Sequence, residues 1–144
     1  MNTTKESGNI VLQLDALHAR ASQAFSNRDL QAYRDCFADD LQYTQLNGET
    51  INREQLMEDV KPQLKKCKSV ETEFIRQSIK LNHDGTVTQI LKQIGTFSTT
   101  VLIFLPRKWD VVRQGRYTYR STNDGWKICE VKVLEESVSR ATSS

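Results

Sequence analysis

Apolar residues in the first part of the chain recur with the period of a helix. Five of them follow one another at intervals of three or four positions, which places them on a single face of an α-helix. They are Ile10, Leu14, Leu17, Ala21 and Ala24. The pattern predicts a helix over residues 9–26 that packs on the core through this face, with His18 at the edge of the face.

A second, shorter helix is predicted directly after the first. Residues 27–29 interrupt the apolar period, and Asp29 is a favourable N-cap residue because its carboxylate can accept a hydrogen bond from a free backbone N–H. Tyr33 and Phe37 then share one helical face. We expect this helix to end near Ala38.

A hairpin and a third helix follow in the predicted order. Residues 41–45 alternate between apolar and polar side chains, and the Asn47–Gly48 pair behind them is typical of a two-residue hairpin turn. The return strand should cover residues 49–51. Asn52 and Gln55 have the spacing of a helix-capping pair.

Helical spacing continues after this capping pair, through Leu56, Val60, Leu64 and Cys67. Pro62 lies within the third helix, where it lacks a backbone N–H and its ring crowds the preceding turn. The sequence therefore predicts a kink or a break near Lys61.

The remainder of the chain is rich in β-branched and aromatic residues, which favour strands. Strands are predicted over residues 70–82, 86–97, 109–121 and 126–134. Turns are expected at His83-Asp84-Gly85 and at Asn123-Asp124-Gly125, where the residues tolerate positive φ. Residues 98–108 form a connector with five consecutive apolar residues, 101–105, and we expect these to cover a pocket or to contact another subunit.

The 144 residues suit a single domain with a substantial core. We assign it to residues 9–136, preceded by a disordered N-terminus at 1–8 and followed by a flexible serine-rich tail at 137–144. Twenty basic and eighteen acidic residues leave a formal charge of +2, which is too small to indicate a nucleic acid or a membrane surface as partner.

Neither a targeting segment nor a cofactor motif is recognisable. The chain begins with polar residues and has no long apolar run, so we expect a cytoplasmic protein. Cys36, Cys67 and Cys129 have no CxxC spacing and no neighbouring histidine, so neither a disulfide framework nor a metal site is predicted. Dinucleotide, nucleotide, zinc-protease and serine-hydrolase motifs do not occur, and no cofactor is expected.

Four segments resemble the nuclear transport factor 2-like superfamily, also called SnoaL-like or cystatin-like. They are SNRDLQAY at 26–33, CFADDLQY at 36–43, the Asn47–Gly48 turn, and NDGWKI at 123–128. The resemblance extends from about residue 10 to residue 136. It implies an α+β, cone-shaped fold in which three N-terminal helices pack on a strongly curved antiparallel β-sheet, and in which the cone holds a small molecule.

Alternation along the strands predicts which side chains point into that cone. If Ser121 pairs with Trp126 in the last hairpin, then Tyr119 faces Ile128 and Tyr117 faces Glu130, all on the inward side. Further inward residues are expected on the first strand, and His18 is expected at the rim. The predicted pocket residues are Tyr43, Gln45, Tyr117, Tyr119, Glu130 and His18.

The resemblance allows a comparison with ketosteroid isomerase, an enzyme of this superfamily. Aligned on Asp29 and the Asp39–Asp40 pair, the isomerase's general base falls on Gln45, its oxyanion-hole tyrosine on Ala21 and its protonated aspartate on Tyr117. An amide cannot abstract a proton and a methyl group cannot donate a hydrogen bond, so this chemistry is not expected. The superfamily's polyketide cyclases are not excluded by the same comparison.

Three candidate catalytic residues have simpler structural explanations beside them. His18 could act as a general base, or it could be a hydrogen-bonded histidine at the edge of the core. Glu130 could act as an acid or base inside the cone, or Lys132 could neutralise it. Tyr117 could donate a hydrogen bond to a ligand while it also packs in the core.

Three functions follow as hypotheses. The first is a homodimeric domain that binds a small, mostly apolar molecule; the second is an isomerase, dehydratase or cyclase that uses acid–base catalysis; the third is an oligomerisation module. An ionisable group facing a cavity would favour the second, and a cavity filled by side chains would favour the third. The dimer is expected through Cys129, Val131 and Val133 on the outer side of the sheet, together with residues 101–105.

Overall fold

The structure is a computed structural model that describes residues 3–102 and 105–140, with side chains described for 8–65, 72–96 and 109–139. The helices in this part of the chain are α1 (Thr3–Ser26), α2 (Leu30–Arg34) and α3 (Arg53–Lys66). The strands are β1 (Phe37–Thr44), β2 (Thr50–Ile51), β3 (Cys67–Leu81), β4 (Val87–Leu102), β5 (Leu105–Thr122) and β6 (Gly125–Arg140).

The strands form one sheet in the order β2-β1-β6-β5-β4-β3. The long strands β3 to β6 pair antiparallel with their neighbours in sequence. β1 lies beside β6 and runs parallel to it, so the sheet is mixed rather than wholly antiparallel as predicted. The predicted α+β architecture, with helices before a large sheet, is confirmed.

The helices cover one side of this sheet, which we call the inner face. Its strand residues alternate with those of the uncovered outer face, and they form a core with the apolar stripes of α1 and α3. The central buried residues are Leu14, Leu17, Leu56, Val60, Val87, Leu91, Tyr119, Ile128 and Val131. Burial of each large apolar side chain contributes about 1.5–3 kcal/mol, so the core holds the helices against this face.

The helix boundaries differ from the predicted ones where neighbouring strands intervene. α1 begins at Thr3, before the predicted start. Asp29 caps α2 as expected, since its carboxylate accepts a hydrogen bond from Ala32 N at 3.1 Å. α2 ends at Arg34 and not near Ala38, because the chain from Phe37 onward is paired with β6.

The Asn47–Gly48 turn lies between β1 and β2, where three residues, 46–48, separate Gln45 from Glu49, one more than predicted. Gln45 N donates to Glu49 O at 2.8 Å and closes the loop. Gly48 has φ 90°, a value that glycine adopts without strain. The amide oxygen of Asn47 accepts from Glu49 N at 2.9 Å.

α3 begins as the capping prediction requires, with Asn52 Oδ1 accepting a hydrogen bond from Gln55 N at 2.9 Å. Pro62 lies inside the helix and does not break it. Within the described residues, no helix combines the length and the apolar character needed to cross a membrane.

The predicted connector at 98–108 is largely strand. Residues 98–102 continue β4 and residues 105–108 belong to β5, while residues 103–104 and the side chains of 97–108 lie outside the described part of the chain. The expectation that residues 101–105 cover a pocket or a subunit contact therefore stays a prediction. At the other end, β6 continues to Arg140, beyond the predicted domain boundary.

The β5–β6 hairpin contains a β-bulge that changes which residues pair across the two strands. Tyr119 pairs with Ile128 as predicted, but Thr118 pairs with Glu130 and Tyr117 pairs with Val131. Cys129 is therefore the extra residue, and such an insertion reverses the inward and outward positions that follow it. The prediction that Glu130 faces Tyr117 is wrong, because Val131 occupies that position.

Candidate functional site

A cavity of about 650 Å³ lies between the helices and the inner face. Its apolar walls come from α1, α3 and the strands, and include Phe25, Phe37, Leu56, Val60, Phe74, Val111 and Ile128. Its polar groups include His18, Tyr43, Gln45, Gln93, Arg113, Tyr117 and Glu136.

Most of the predicted pocket residues are brought together here. His18, Tyr43, Gln45 and Tyr117 line the cavity. Tyr119 lies behind them and is 0% exposed, so it supports the cavity wall without forming its surface.

Glu130 is not in the cavity. It lies exposed on the outer face, opposite Thr118. The bulge at Cys129 is the physical reason, because it moves Val131 into the position predicted for Glu130. Glu130 is therefore removed as a candidate catalytic residue, and Lys132, also exposed, has no role in neutralising a buried charge.

A chain of hydrogen bonds holds the buried His18 in the wall of the cavity. His18 Nε2 lies 2.5 Å from the Tyr119 hydroxyl, and Gln89 Nε2 donates to the same hydroxyl at 2.7 Å. Arg76 Nε donates to Gln89 Oε1 at 2.8 Å, and Arg76 also binds the Asp15 carboxylate. Gln89 is only 1% exposed, so these bonds satisfy an amide that would be costly to bury alone.

Burial lowers the pKa of His18 to about 4, with Asp15 opposing the shift and Arg76 adding to it. Burial also raises the pKa of Tyr117 and of Tyr119 far above the usual phenol range. All three groups are neutral at pH 7. A histidine with so low a pKa accepts a proton weakly, which makes it an inefficient general base near neutral pH.

Aromatic contacts fix the orientation of the His18 ring. Its centroid lies 4.8 Å from that of Phe74 and 5.3 Å from that of Tyr117, the latter edge-on. Such tilted and edge-to-face contacts are favourable for aromatic rings. The imidazole is therefore held by its neighbours on β3 and β5 and not by solvent.

Gly115 makes room for the Tyr117 ring. A Cβ atom at Gly115 would lie 2.9 Å from Cε1 of Tyr117, closer than a van der Waals contact. The tyrosine thus folds back over its own strand into the cavity, and it can do so because residue 115 has no side chain. Sequence reasoning missed this role, since the spacing of two residues shows only that both belong to one face.

A partly exposed ion pair also lines the cavity. Arg113 Nε donates to Glu136 Oε2 at 2.9 Å, and the two side chains are 31% and 32% exposed. Sequence reasoning missed both residues. Arg113 could have been found by continuing the alternation from Tyr117, whereas Glu136 faces inward only because a second register shift follows Val133.

The residues compared with ketosteroid isomerase do lie at the cavity. Ala21, Gln45 and Tyr117 all line it, so a methyl group and an amide contribute to the cavity wall at the two positions that were compared with the isomerase's tyrosine and base. Among the described residues, no group of three or more His, Cys, Asp or Glu side chains could hold a metal ion. Cys36 is buried, and Cys129 is half-buried at the bulge.

No protein-family model matches the sequence, and no curated protein sequence matches it either. Similar folds are found among solved structures. A candidate scytalone dehydratase from Novosphingobium aromaticivorans is 8% identical, with a TM-score of 0.79 over 98% of this chain and 95% of that one. Hexachlorocyclohexane dehydrochlorinase LinA-type3 from Novosphingobium barchaimii is 9% identical, with a TM-score of 0.73 over 98% and 96%.

A third structure is a domain of unknown function with a cystatin-like fold from Nostoc punctiforme. It is 11% identical, with a TM-score of 0.62 over 99% of this chain and 81% of that one. Identities this low establish shared architecture and not shared chemistry. The chain has a cystatin-like fold.

Proposed function

We propose that this chain is a small-molecule-binding domain that acts as a homodimer and takes a mostly apolar ligand into the cavity between its helices and sheet. The observation that carries the proposal is the volume of about 650 Å³ that the described side chains leave unfilled. Ligand sites typically have volumes of 300–1,000 Å³, apolar walls and a few placed polar groups.

The distribution of groups around this cavity suits a ligand with an apolar body and a polar end. Aromatic side chains from the helices and strands form much of the wall, including Phe25, Phe37 and Phe74. The His18 ring and the hydroxyl groups of the tyrosines that line the cavity lie between these aromatic side chains. Such a surface binds flat, ring-containing molecules by contact and orients them by one or two hydrogen bonds.

The oligomerisation-module hypothesis receives less support. A domain that serves only assembly gains stability when side chains fill its interior, because unfilled space forfeits packing contacts. Assembly itself is compatible with ligand binding, since the outer face of the sheet is free for it.

The homodimer we propose uses the outer face, but not the residues expected from the sequence. Val131 and Val133 are buried on the inner face and cannot contact a partner. Ile75, Ile94 and Val112 are instead exposed on the outer face, and Ile94 pairs directly with Val112. These three residues define the outer apolar patch.

A second copy of this chain is the occupant we propose for the outer apolar patch. Charges of both signs flank the patch, with Glu73 and Asp110 against Lys92 and Arg116. A two-fold axis can therefore bring each charge near its opposite. Light scattering should give twice the chain mass, and Val112→Lys should give monomer. An unmodified protein with the mass of one chain would contradict the dimer.

An acid–base enzyme of the isomerase, dehydratase or cyclase type is the second candidate. It is favoured by His18 and Tyr117, an ionisable ring and a phenol that share the cavity, and by the similar folds of a candidate dehydratase and a dehydrochlorinase. Against it stand the low pKa of His18 and the outward position of Glu130. An assay with a β,γ-unsaturated ketosteroid is expected to show no saturable turnover.

Filling the cavity tests the binding proposal. The probe is 1-anilinonaphthalene-8-sulfonate, whose fluorescence rises in apolar surroundings. Ala21 lines the cavity on α1, and Ala21→Phe should reduce probe affinity at least tenfold. Ala19 is exposed on the same helix and does not line the cavity, so Ala19→Phe is the matched control and should bind the probe as the unmodified protein does. Equal affinity in all three proteins would refute binding in this cavity.

A further inference from the structure

The five residues that connect the protein surface to the cavity form a directional chain of hydrogen bonds. Its members are Asp15, Arg76, Gln89, Tyr119 and His18. A guanidinium has only donors, so Gln89 must turn its carbonyl oxygen toward Arg76. The amide NH₂ of Gln89 therefore points to the Tyr119 hydroxyl, where it donates at 2.7 Å.

The Tyr119 hydroxyl then has one proton to donate and one acceptor in reach. Its oxygen already accepts from Gln89, and His18 Nε2 lies 2.5 Å away. If Nε2 carried a proton, the phenol oxygen would accept twice and its own proton would lack an acceptor among the described residues. Tyr119 is 0% exposed, and an unpaired buried donor is unfavourable. The phenol therefore donates to Nε2.

The position of the imidazole proton follows from this direction. A neutral histidine has one protonated and one unprotonated ring nitrogen. With Nε2 accepting from Tyr119, the proton is on Nδ1. No hydrogen-bond partner for Nδ1 is found among the described side chains, and the His18 ring lines the cavity.

We propose that the Asp15–Arg76–Gln89–Tyr119 chain locks His18 as the Nδ1–H tautomer, so that His18 donates a hydrogen bond to an acceptor oxygen of the cavity's ligand. The ligand class is then an apolar molecule with a carbonyl oxygen, such as an aryl ketone, and not one that presents an N–H donor. Tyr117, whose ring centroid lies 5.3 Å from that of His18, supplies a second donor beside it.

The tautomer stands on the hydrogen bonds alone, whereas the ligand class rests on the proposed binding function. This assignment also gives the buried, neutral histidine a role at the cavity: it discriminates between ligands without changing its protonation state. Sites built to pair with one polar group reject analogues that lack it, because the buried partner is then left unpaired.

Nuclear magnetic resonance of ¹⁵N-labelled histidine tests the tautomer directly. The chain has two histidines, and His83→Gln in the exposed β3–β4 turn leaves the His18 signals alone. The ring correlations at pH 7 should show the Nδ1–H pattern. An Nε2–H pattern in this protein would overturn the proposal.

Gln89→Glu should reverse the tautomer. A carboxylate only accepts, so it would remain bound to Arg76 and draw the Tyr119 proton toward itself, leaving the phenol oxygen to accept from His18 Nε2–H. Asp15→Asn is the control, because Arg76 still only donates and the Nδ1–H pattern should persist. If the charged variant does not fold, Tyr119→Phe serves instead and should lose the exclusive Nδ1–H pattern. An unchanged Nδ1–H pattern in a folded variant would overturn the proposal that this chain of hydrogen bonds sets the tautomer.

A pair of bicyclic probes of similar size tests the ligand class. 1-Indanone offers only an acceptor oxygen, and indole offers an N–H donor. Titration should shift the His18 Nδ1–H signal with 1-indanone, and indole should bind at least tenfold more weakly; Gln89→Glu should reduce this preference. Equal binding of the two probes would overturn the acceptor preference. Binding of neither, with the Nδ1–H pattern present, would count against the proposed function and leave the tautomer standing.

Discussion

Glu130 and Val131 are neighbours in the chain, yet one is exposed on the outer face of the sheet and the other is 1% exposed on the inner face. The outer face carries threonines and charges around a few apolar side chains. The inner face carries apolar residues and polar groups that are bound to one another. The type of side chain found at a β6 position therefore depends on the face of the sheet that the residue occupies, and adjacent residues can differ completely.

Polar contacts differ between the two faces in the same way. Outside, Arg120 binds Asp40 at 2.5 Å with side chains that are 43% and 67% exposed. The hydrogen bond from Arg120 lowers the pKa of Asp40, but water screens such a pair and it adds little stability. On the inner face, water cannot reach Gln89 and Tyr119. Their polar groups are therefore satisfied only by hydrogen bonds to other side chains.

The largest difference between the faces should come from placing the same charge at adjacent positions. Val131→Lys buries an ammonium group beside Tyr117 and should lower the free energy of unfolding by on the order of 4 kcal/mol. Glu130→Lys should change it by less than about 0.5 kcal/mol. Urea unfolding of both variants measures the contrast, and similar losses would mean that the two residues do not lie on opposite faces.

Removing one hydrogen-bonding side-chain group from each face sharpens the comparison of polar contacts. Gln89→Leu removes one hydrogen-bond partner from Tyr119 and one from Arg76, and should cost about 2–4 kcal/mol of unfolding free energy. Thr118→Val on the outer face loses a long contact to Thr88, 3.3 Å between hydroxyl oxygens, and should cost under about 1 kcal/mol. The same denaturation assay serves both, and a loss at Thr118 equal to that at Gln89 would contradict the ordering.

The inner histidine should make stability depend on pH. Its pKa falls from 6.5 to about 4 on folding, so between these values the unfolded chain binds a proton that the folded chain does not. Stability is therefore lost as the pH falls below 6.5, by about 2 kcal/mol between pH 7 and pH 5. Asp15 and Arg76 face the ring and are included in this shift. His18→Gln should remove that part of the pH dependence, and an unchanged slope would show that His18 titrates normally.

The smallest expected effect concerns Gly115. Gly115→Ala places a Cβ atom 2.9 Å from Tyr117 Cε1, which the ring can relieve by turning, at a cost of about 1 kcal/mol. The substitution should reduce the affinity for 1-anilinonaphthalene-8-sulfonate more than it reduces the free energy of unfolding, because the displaced ring enters the cavity. Gln114→Ala on the outer face is the control. Unaltered probe affinity in Gly115→Ala would show that Tyr117 does not shape the site.

Local signals in the sequence were sufficient for the elements and for part of the site. The periodic stripe of α1, the Asp29 cap and the Asn123–Gly125 turn all act over a few residues, and each is found where it was predicted. His18 and Tyr117 were also found at the cavity, since each lies near a strong local signal that sets its orientation.

What the sequence determined by itself was therefore the order of helices and strands and the turn that starts the β5–β6 register. The tertiary structure decided the rest of that register. Whether Cys129 is bulged depends on how β6 is held between β5 and β1. Because β1 is distant from β6 in the chain, local sequence preferences do not predict that contact. Because alternation has a period of two, this single inserted residue placed Val131 and not Glu130 on the inner face.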